Sequence, residues 1–506
     1  MLRKIRVTLA VIFFVLITLL FLDATGTLHT WLGWMAKIQF LPALLALNVG
    51  VLVFLVLLTL LLGRVYCSVI CPLGVMQDAI AWLGKRGKKR NRFKYNYSKE
   101  KVWLRYIVLI LYGAAVVAGI GFVIALLAPY SAYGRIASHL LAPLYRAGNN
   151  LLAVLAARAD SYTFYAVDVW MPSLLTLLVA VLTLVVLGIL AWRNGRTYCN
   201  TICPVGTVLG FLSRYSLFKI RIDAGKCTGC QLCARSCKSA CIDSKNHTVD
   251  YSRCVGCMDC IGQCREDALS FSYALPHTPK VASDSSTTTP VSKPSSVDTS
   301  RRAFFTAGAM LATATLLHAQ EKKRDGGLAV IEDKVAPPRT TPILPAGSHD
   351  FRRFAQHCTG CQLCVSTCPS HVLRPSSGLM TLMQPMMAYD HGYCRPECTR
   401  CSEVCPTDAI SLVSMAEKSS IQIGHAVWVR KNCVPLTDGK PCGNCARHCP
   451  ASAISMIPSV EGDPKSLPIP AIDVERCIGC GACEYLCPSR PFTAIYVEGH
   501  EMHKTI

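Results

Sequence analysis

The chain has 506 residues, 52% of them hydrophobic, with mean hydropathy +0.36, net charge +21 and 29 cysteines. It is too apolar for an ordinary soluble protein, and its basic residues gather beside apolar segments rather than on one folded surface, which excludes a nucleic-acid reader. The cysteines recur in short-spaced quartets, which is ligand spacing and not the framework of a disulfide-stapled secreted domain.

Four apolar runs come first, at Val7 to Leu22, Leu41 to Leu62, Val102 to Ala128 and Ser173 to Trp192. Each is close to the ~20 residues that cross hydrocarbon as a helix. They predict an all-α, four-helix transmembrane domain over residues 1–215. Residues 64–101 carry ten Lys or Arg, among them Lys85, Arg86, Lys88, Lys89, Arg90, Arg92 and Lys94, against one in 23–40 and three in 129–172. The positive-inside rule therefore places both ends of this domain on the cytoplasmic side of a bacterial inner membrane.

An internal repeat lies where the second and fourth runs end. Gly63-Arg64-Val65-Tyr66-Cys67-Ser68-Val69-Ile70-Cys71-Pro72-Leu73-Gly74 matches Gly195-Arg196-Thr197-Tyr198-Cys199-Asn200-Thr201-Ile202-Cys203-Pro204-Val205-Gly206 at eight of twelve positions. Each copy sets two thiols one helical turn apart before a proline that ends the turn. Cys67, Cys71, Cys199 and Cys203 are thus candidates for a catalytic redox couple or for metal ligation. The alternative is that they pack as small hydrophobes.

Residues 216–281 contain Cys227, Cys230, Cys233, Cys237 and Cys254, Cys257, Cys260, Cys264, both with C-x2-C-x2-C-x3-C spacing. This resembles the bacterial two-cluster ferredoxins, an α+β fold in which the fourth thiolate of each motif serves the other cubane. The resemblance implies one 4Fe-4S cluster on Cys227, Cys230, Cys233 and Cys264, and another on Cys254, Cys257, Cys260 and Cys237. Lys238 and Arg265 replace the usual proline after each motif, and Cys241 is a further thiol able to compete with Cys237. Zinc remains the alternative metal, although structural zinc ordinarily takes two separated pairs.

Residues 282–299, rich in Ser, Thr, Pro and Asp, predict a flexible linker. Over residues 300–320, Ser300-Arg301-Arg302-Ala303-Phe304-Phe305 and an apolar stretch to Ala319 resemble a twin-arginine export signal, here internal to the chain. The competing reading is an amphipathic helix with two exposed arginines.

Residues 346–506 hold four further quartets: Cys358, Cys361, Cys364, Cys368; Cys394, Cys398, Cys401, Cys405; Cys433, Cys442, Cys445, Cys449; and Cys477, Cys480, Cys483, Cys487. A proline follows each, and β-prone stretches at 426–429 and 495–497 alternate with the ligand loops, as in ferredoxin-like units. The stretched third quartet and the double C-x3-C-P signature resemble the NapG and NapH components of a quinol dehydrogenase fused into one chain. The resemblance implies that the first motif of this half pairs with the fourth and the second with the third. Cys358, Cys361, Cys364 and Cys487 would then share a cluster, as would Cys477, Cys480, Cys483 and Cys368. Cys394, Cys398, Cys401 and Cys449 would hold a third, and Cys433, Cys442, Cys445 and Cys405 the last.

The same resemblance implies six 4Fe-4S clusters, oxidation of a membrane quinol, and delivery of electrons to a periplasmic cytochrome or terminal reductase. The first ferredoxin module would be cytoplasmic and the second periplasmic. A quinol site would lie near the thiol pairs or in the segment with His139. No nucleotide-binding glycine loop, flavin fingerprint or C-x-x-C-H haem attachment occurs. The rival readings are a NosR-like electron donor for maturation of a periplasmic metalloenzyme, and a non-enzymatic assembly platform with structural clusters.

Overall fold

The computed structural model describes residues 2–23, 26–85, 95–161, 163–167, 173–273, 337–460 and 462–506. The basic run from Arg86 to Lys94, the linker at 282–299 and the twin-arginine segment at 300–320 lie outside the described residues.

Apolar stretches without an internal breaker become long helices. α1 (Leu2–Leu22) and α12 (Leu174–Asn194) each have 21 residues and are long and apolar enough to cross a membrane. The two inner runs, expected as single spans, are broken. The second divides into α4 (Phe40–Leu45) and α5 (Val49–Leu62), because Leu47 turns to φ 51° and the Asn48 side chain caps the new helix through the Val51 amide at 3.2 Å. The third divides into α8 (Val102–Ala118) and α9 (Gly121–Leu127) at Gly119, whose φ of 71° closes the first helix. Ile12, Phe54, Ile110, Leu178 and Val186 stand exposed on the outside of this bundle, an apolar surface that suits lipid better than water.

The stretches between these helices carry further helices, of which Pro129–Ile136 is wholly buried. α2 (Thr27–Leu32) and α3 (Trp34–Lys37) lead into α4, and α10 (Pro129–Ile136), a π-helical turn at Ala137–Leu141 and α11 (Ala142–Arg158) follow α9. The repeated motifs form α6 (Val65–Val69) with α7 (Pro72–Leu83), and α13 (Thr197–Thr201) with α14 (Pro204–Ser213).

Three ferredoxin-like units account for the strands. In the first, β1 (Phe218–Ile222) pairs antiparallel with β4 (Leu269–Tyr273), enclosing the hairpin β2 (Ile242–Asp243) and β3 (Thr248–Val249). In the second, β5 (Leu373–Pro375) pairs with β6 (Pro385–Met387) between two motifs. The third repeats the first, with β7 (Ile421–Trp428) on β10 (Ile495–Thr505) enclosing β8 (Ile454–Pro458) and β9 (Pro468–Ile472).

These units sit at opposite ends of the bundle. At the start of α1, Arg3 pairs with Asp259 at 2.9 Å; beyond its end, His29 meets Thr367 Oγ1 at 3.3 Å. At the start of α8, Arg105 reaches Ser252 Oγ at 3.1 Å; at its end, Gln356 donates to the Val117 carbonyl at 2.9 Å. A 21-residue helix is ~30 Å long, which sets the separation. One continuous buried core nevertheless runs from Cys67, Cys199 and Val255 through Phe21, Tyr130 and Tyr133 to Cys358, Cys361 and Cys364.

Candidate iron–sulfur and thiol sites

Expected on one helical face, Cys67 and Cys71 do not share one. The residue before a proline is driven out of the helical region, so Cys71 is extended (φ −74°, ψ 115°) and Pro72 opens α7 instead of merely ending α6. Cys203 and Pro204 do the same at the start of α14. This bend turns the thiols of both repeats toward each other. Cys67, Cys71, Cys199 and Cys203 are at most 5% exposed, and each lies near enough to feel the charge of the other three. Burial pushes the Cys71, Cys199 and Cys203 thiols up, and Arg196 offsets this only in part at Cys199.

Two arginines cross the junction. Arg64 donates to the Cys199 carbonyl at 3.1 Å, to Asn200 Oδ1 at 3.0 Å and to the Ser252 carbonyl at 2.9 Å, with Nη2 3.8 Å from Cys67 Sγ. Arg196 returns the arrangement, donating to the Cys67 carbonyl at 2.8 Å and to Asp78 Oδ1 at 2.7 Å, with Nη1 3.8 Å from Cys199 Sγ. The glycine of each repeat makes room. A Cβ on Gly74 would stand 2.2 Å from the Cys67 carbonyl and 2.7 Å from Arg196, and one on Gly206 would stand 2.2 Å from the Cys199 carbonyl and 2.9 Å from Arg64. The repeat tyrosines tie the site to the rest of the bundle: Tyr66 donates to Gln39 Oε1 at 3.0 Å, and Tyr198 to the Leu127 carbonyl at 2.8 Å.

Lys238, which replaces the expected proline, anchors the first unit. Its ammonium meets Asp78 at 2.8 Å and Asp259 at 3.1 Å, and its carbonyl accepts from the Arg196 amide at 2.9 Å. Burial works against ionisation of Asp78, but Arg196 and Lys238 overcome it and hold the carboxyl well below the usual range. Within that unit Cys237 groups with Cys254, Cys257 and Cys260, while Cys230 is exposed. Cys241 is fully inside the unit, its sulfur 3.5 Å from that of Cys237 and in contact with Cys254.

In the second and third units the pairing implied by the resemblance does not hold. Cys405, not Cys487, joins Cys358, Cys361 and Cys364. Cys368 joins Cys394 and Cys401, which also neighbour Cys398. Cys487 joins Cys433, Cys442 and Cys445, and Cys449 joins Cys477, Cys480 and Cys483. The cause is local: β5–β6 and β8–β9 each fold a motif back onto the one before it, so neighbouring motifs exchange their fourth thiols. The grouping suits 4Fe-4S clusters, which take four thiolates and hydrogen bonds to sulfur. Backbone amides supply those bonds, Ala268 to Cys264 at 3.3 Å, Ile410 to Cys405 at 3.5 Å, Ala453 to Cys449 at 3.2 Å and Ala494 to Cys487 at 3.3 Å. Among the described residues, no group of Cys, His, Asp or Glu closes on a single metal ion.

The second unit meets the bundle at its first ligand loop: a Cβ on Gly134 would lie 2.1 Å from the Cys361 carbonyl. It meets the third unit where the Cys394 amide donates to the Cys480 carbonyl at 2.9 Å. A cavity of about 580 Å³ is lined by His29, Trp31, Trp34, Thr367, Arg400 and Glu403. His29 Nδ1 lies 3.1 Å from Asp23 Oδ2, an acid–base pair that no motif announced. His139 is buried on the π-helical turn, with neither ring nitrogen bonded among the described residues.

Comparison with known proteins finds 4Fe-4S domains over parts of the chain. The family described as "4Fe-4S binding domain" matches residues 44–91 and 173–223, one match on each C-x3-C-P repeat, and "4Fe-4S dicluster domain" matches 440–490, across the third and fourth motifs of the C-terminal half. The methylamine utilization ferredoxin-type protein MauM of Methylobacillus flagellatus is 30% identical over 173 residues, covering 32% of this chain and 70% of the relative. Ferredoxin-type protein NapF of Escherichia coli is 28% identical over 159 residues, 31% of this chain and 87% of its own. Ferredoxin-type protein NapH of Haemophilus influenzae is 27% identical over 203 residues, 40% and 56%. The chain spans about half the length of other curated relatives that it matches. No solved structure matches it.

Proposed function

The chain belongs to the ferredoxin-type 4Fe-4S proteins, and from that premise we propose that it is a membrane-bound electron carrier. In this reading it oxidises quinol and passes the electrons through six 4Fe-4S clusters to a periplasmic cytochrome or terminal reductase. The four expected spans remain part of the proposal: α1 and α12 as full helices, and α5 and α8 as shorter ones completed by α4 and α9. A NapG-like origin for the C-terminal half and a cytoplasmic first unit with periplasmic second and third units also belong to it.

The observation that carries the reading is the order of the thiol groups. From the exposed Cys230 the sequence runs through Cys257 and Cys260 to the bundle, and from Cys361 through Cys394 and Cys480 to Cys445. Thiolate-bound clusters supply one-electron transfer, and their potentials follow burial and hydrogen bonds to sulfur. Quinol chemistry also needs a proton acceptor. With Nδ1–H donated to Asp23, His29 presents Nε2 as a base beside the cavity, 3.3 Å from the Thr367 hydroxyl in the loop that carries Cys368. A quinol there would lose two electrons singly to the clusters and two protons to His29 and water, leaving quinone. Adding quinol to anaerobic membranes tests this by electron paramagnetic resonance. Signals of reduced clusters support it, and clusters that only dithionite reduces favour the platform reading.

A further inference from the structure

We infer that Cys67, Cys71, Cys199 and Cys203 are the complete ligand set of one 4Fe-4S cluster shared by the two repeats, a seventh centre between the ferredoxin units. The inference rests on the electron-carrier reading but not on quinol as the donor. Two thiols from one repeat are too few, since a cubane takes four. The repeats also cannot build separate sites, because each arginine spans both: Arg64 touches its own repeat's Cys67 sulfur and the other's Cys199 carbonyl, and Arg196 does the reverse.

The surroundings suit an anion that hydrogen-bonds at sulfur. Arg64 and Arg196 are 0% exposed, and Arg64 Nε and Arg196 Nη2 have no hydrogen-bond partner among the described residues. Gln77, 1% exposed, accepts from Cys199 Sγ at 3.5 Å through Oε1, while its Nε2 is also unpartnered. A thiolate-bound oxidised cubane carries about two negative charges, which two guanidiniums balance; the four thiol protons leave to solvent on ligation.

The position gives the centre a use. On one side Arg64 is bonded to the Ser252 carbonyl, two residues before Cys254. On the other, Tyr198 is bonded to Leu127 at the end of α9, whose Ala125 packs against Gly360 in the second unit's ligand loop. A carrier here divides a path that would otherwise cross ~30 Å in one step.

Iron and acid-labile sulfide in the anaerobically purified full-length chain test the inference without reference to quinol. The wild type is expected to hold about 28 irons, against about 24 for six clusters. Cys67→Ser should lose about four irons, and the double variant Cys67→Ser/Cys199→Ser should lose no more than the single one. A wild type at about 24 irons, a Cys67–Cys71 disulfide in non-reducing peptide mapping, or losses that add between the repeats would overturn it. The wild-type count and the mapping decide the matter even where the variants fail to fold.

Discussion

The Arg196 guanidinium donates to the backbone carbonyl of Cys67 at 2.8 Å, across 129 residues of chain. With the reciprocal bond from Arg64 to the Cys199 carbonyl, it makes two similar stretches of sequence into one buried junction. Several consequences of that junction and of its neighbours can be measured.

Space at the junction is supplied by glycine. In Gly74→Ala the new methyl meets the Cys67 carbonyl at 2.2 Å and Arg196 at 2.7 Å, so the arginine has to withdraw. Overpacking of this kind costs about 1–3 kcal/mol. We expect a lower unfolding midpoint in detergent, with the spectra of the ferredoxin clusters unchanged. Unaltered stability would show that the crossing is loosely packed.

Asp78 binds Arg196 at 2.7 Å, Lys238 at 2.8 Å and Arg6 at 3.0 Å, joining bundle and first unit. Asp78→Ala leaves buried cations without a counter-charge, a loss of about 3–5 kcal/mol. Because the folded carboxyl is held below its ordinary value, its stabilisation is present above pH ~3.9 and is lost as pH falls below that. Urea titrations of wild type and variant should therefore converge in acid.

Motif pairing has a direct test. Cys405→Ser should remove the same cluster as Cys358→Ser, and Cys487→Ser the same cluster as Cys433→Ser, when the spectra of the variants are compared. Equivalence of Cys487→Ser with Cys358→Ser would restore the pairing of first with fourth motif.

His29 is expected to matter for quinol and not for cluster assembly. His29→Leu should slow quinol-driven reduction by about 10²-fold or more, the range of a lost general base, while dithionite still reduces every cluster. Burial lowers the His29 pKa and outweighs the Asp23 carboxylate, so the neutral base persists somewhat below pH ~6.5. Activity should fall only as pH drops below that value, and a limb displaced upward would contradict the assignment.

Much of this was legible because ligand spacing is short-range. C-x2-C-x2-C-x3-C fixes each loop locally, and the repeat at Gly63 and Gly195 is visible by eye. What was not legible is set by contacts far apart in sequence. Nothing near Cys67 says that Cys199 faces it, and nothing near Asp23 says that His29 will close a cavity against Thr367. That the runs at 41–62 and 102–128 are each two helices could not be read, because composition alone does not register Asn48 as a cap or Gly119 as a stop. The motif pairing misled because the β5–β6 and β8–β9 hairpins, not motif order, decide which fourth thiol returns.

A centre at the junction of the two repeats would let electrons pass from one end of the bundle to the other through this chain. Proteoliposomes containing the protein in one orientation, with an impermeant reductant outside and an impermeant acceptor inside, measure that passage directly. The enclosed acceptor is expected to be reduced, and Cys67→Ser is expected to abolish that reduction. Clusters that exchange electrons freely at each face, with no transfer between the faces, would contradict it.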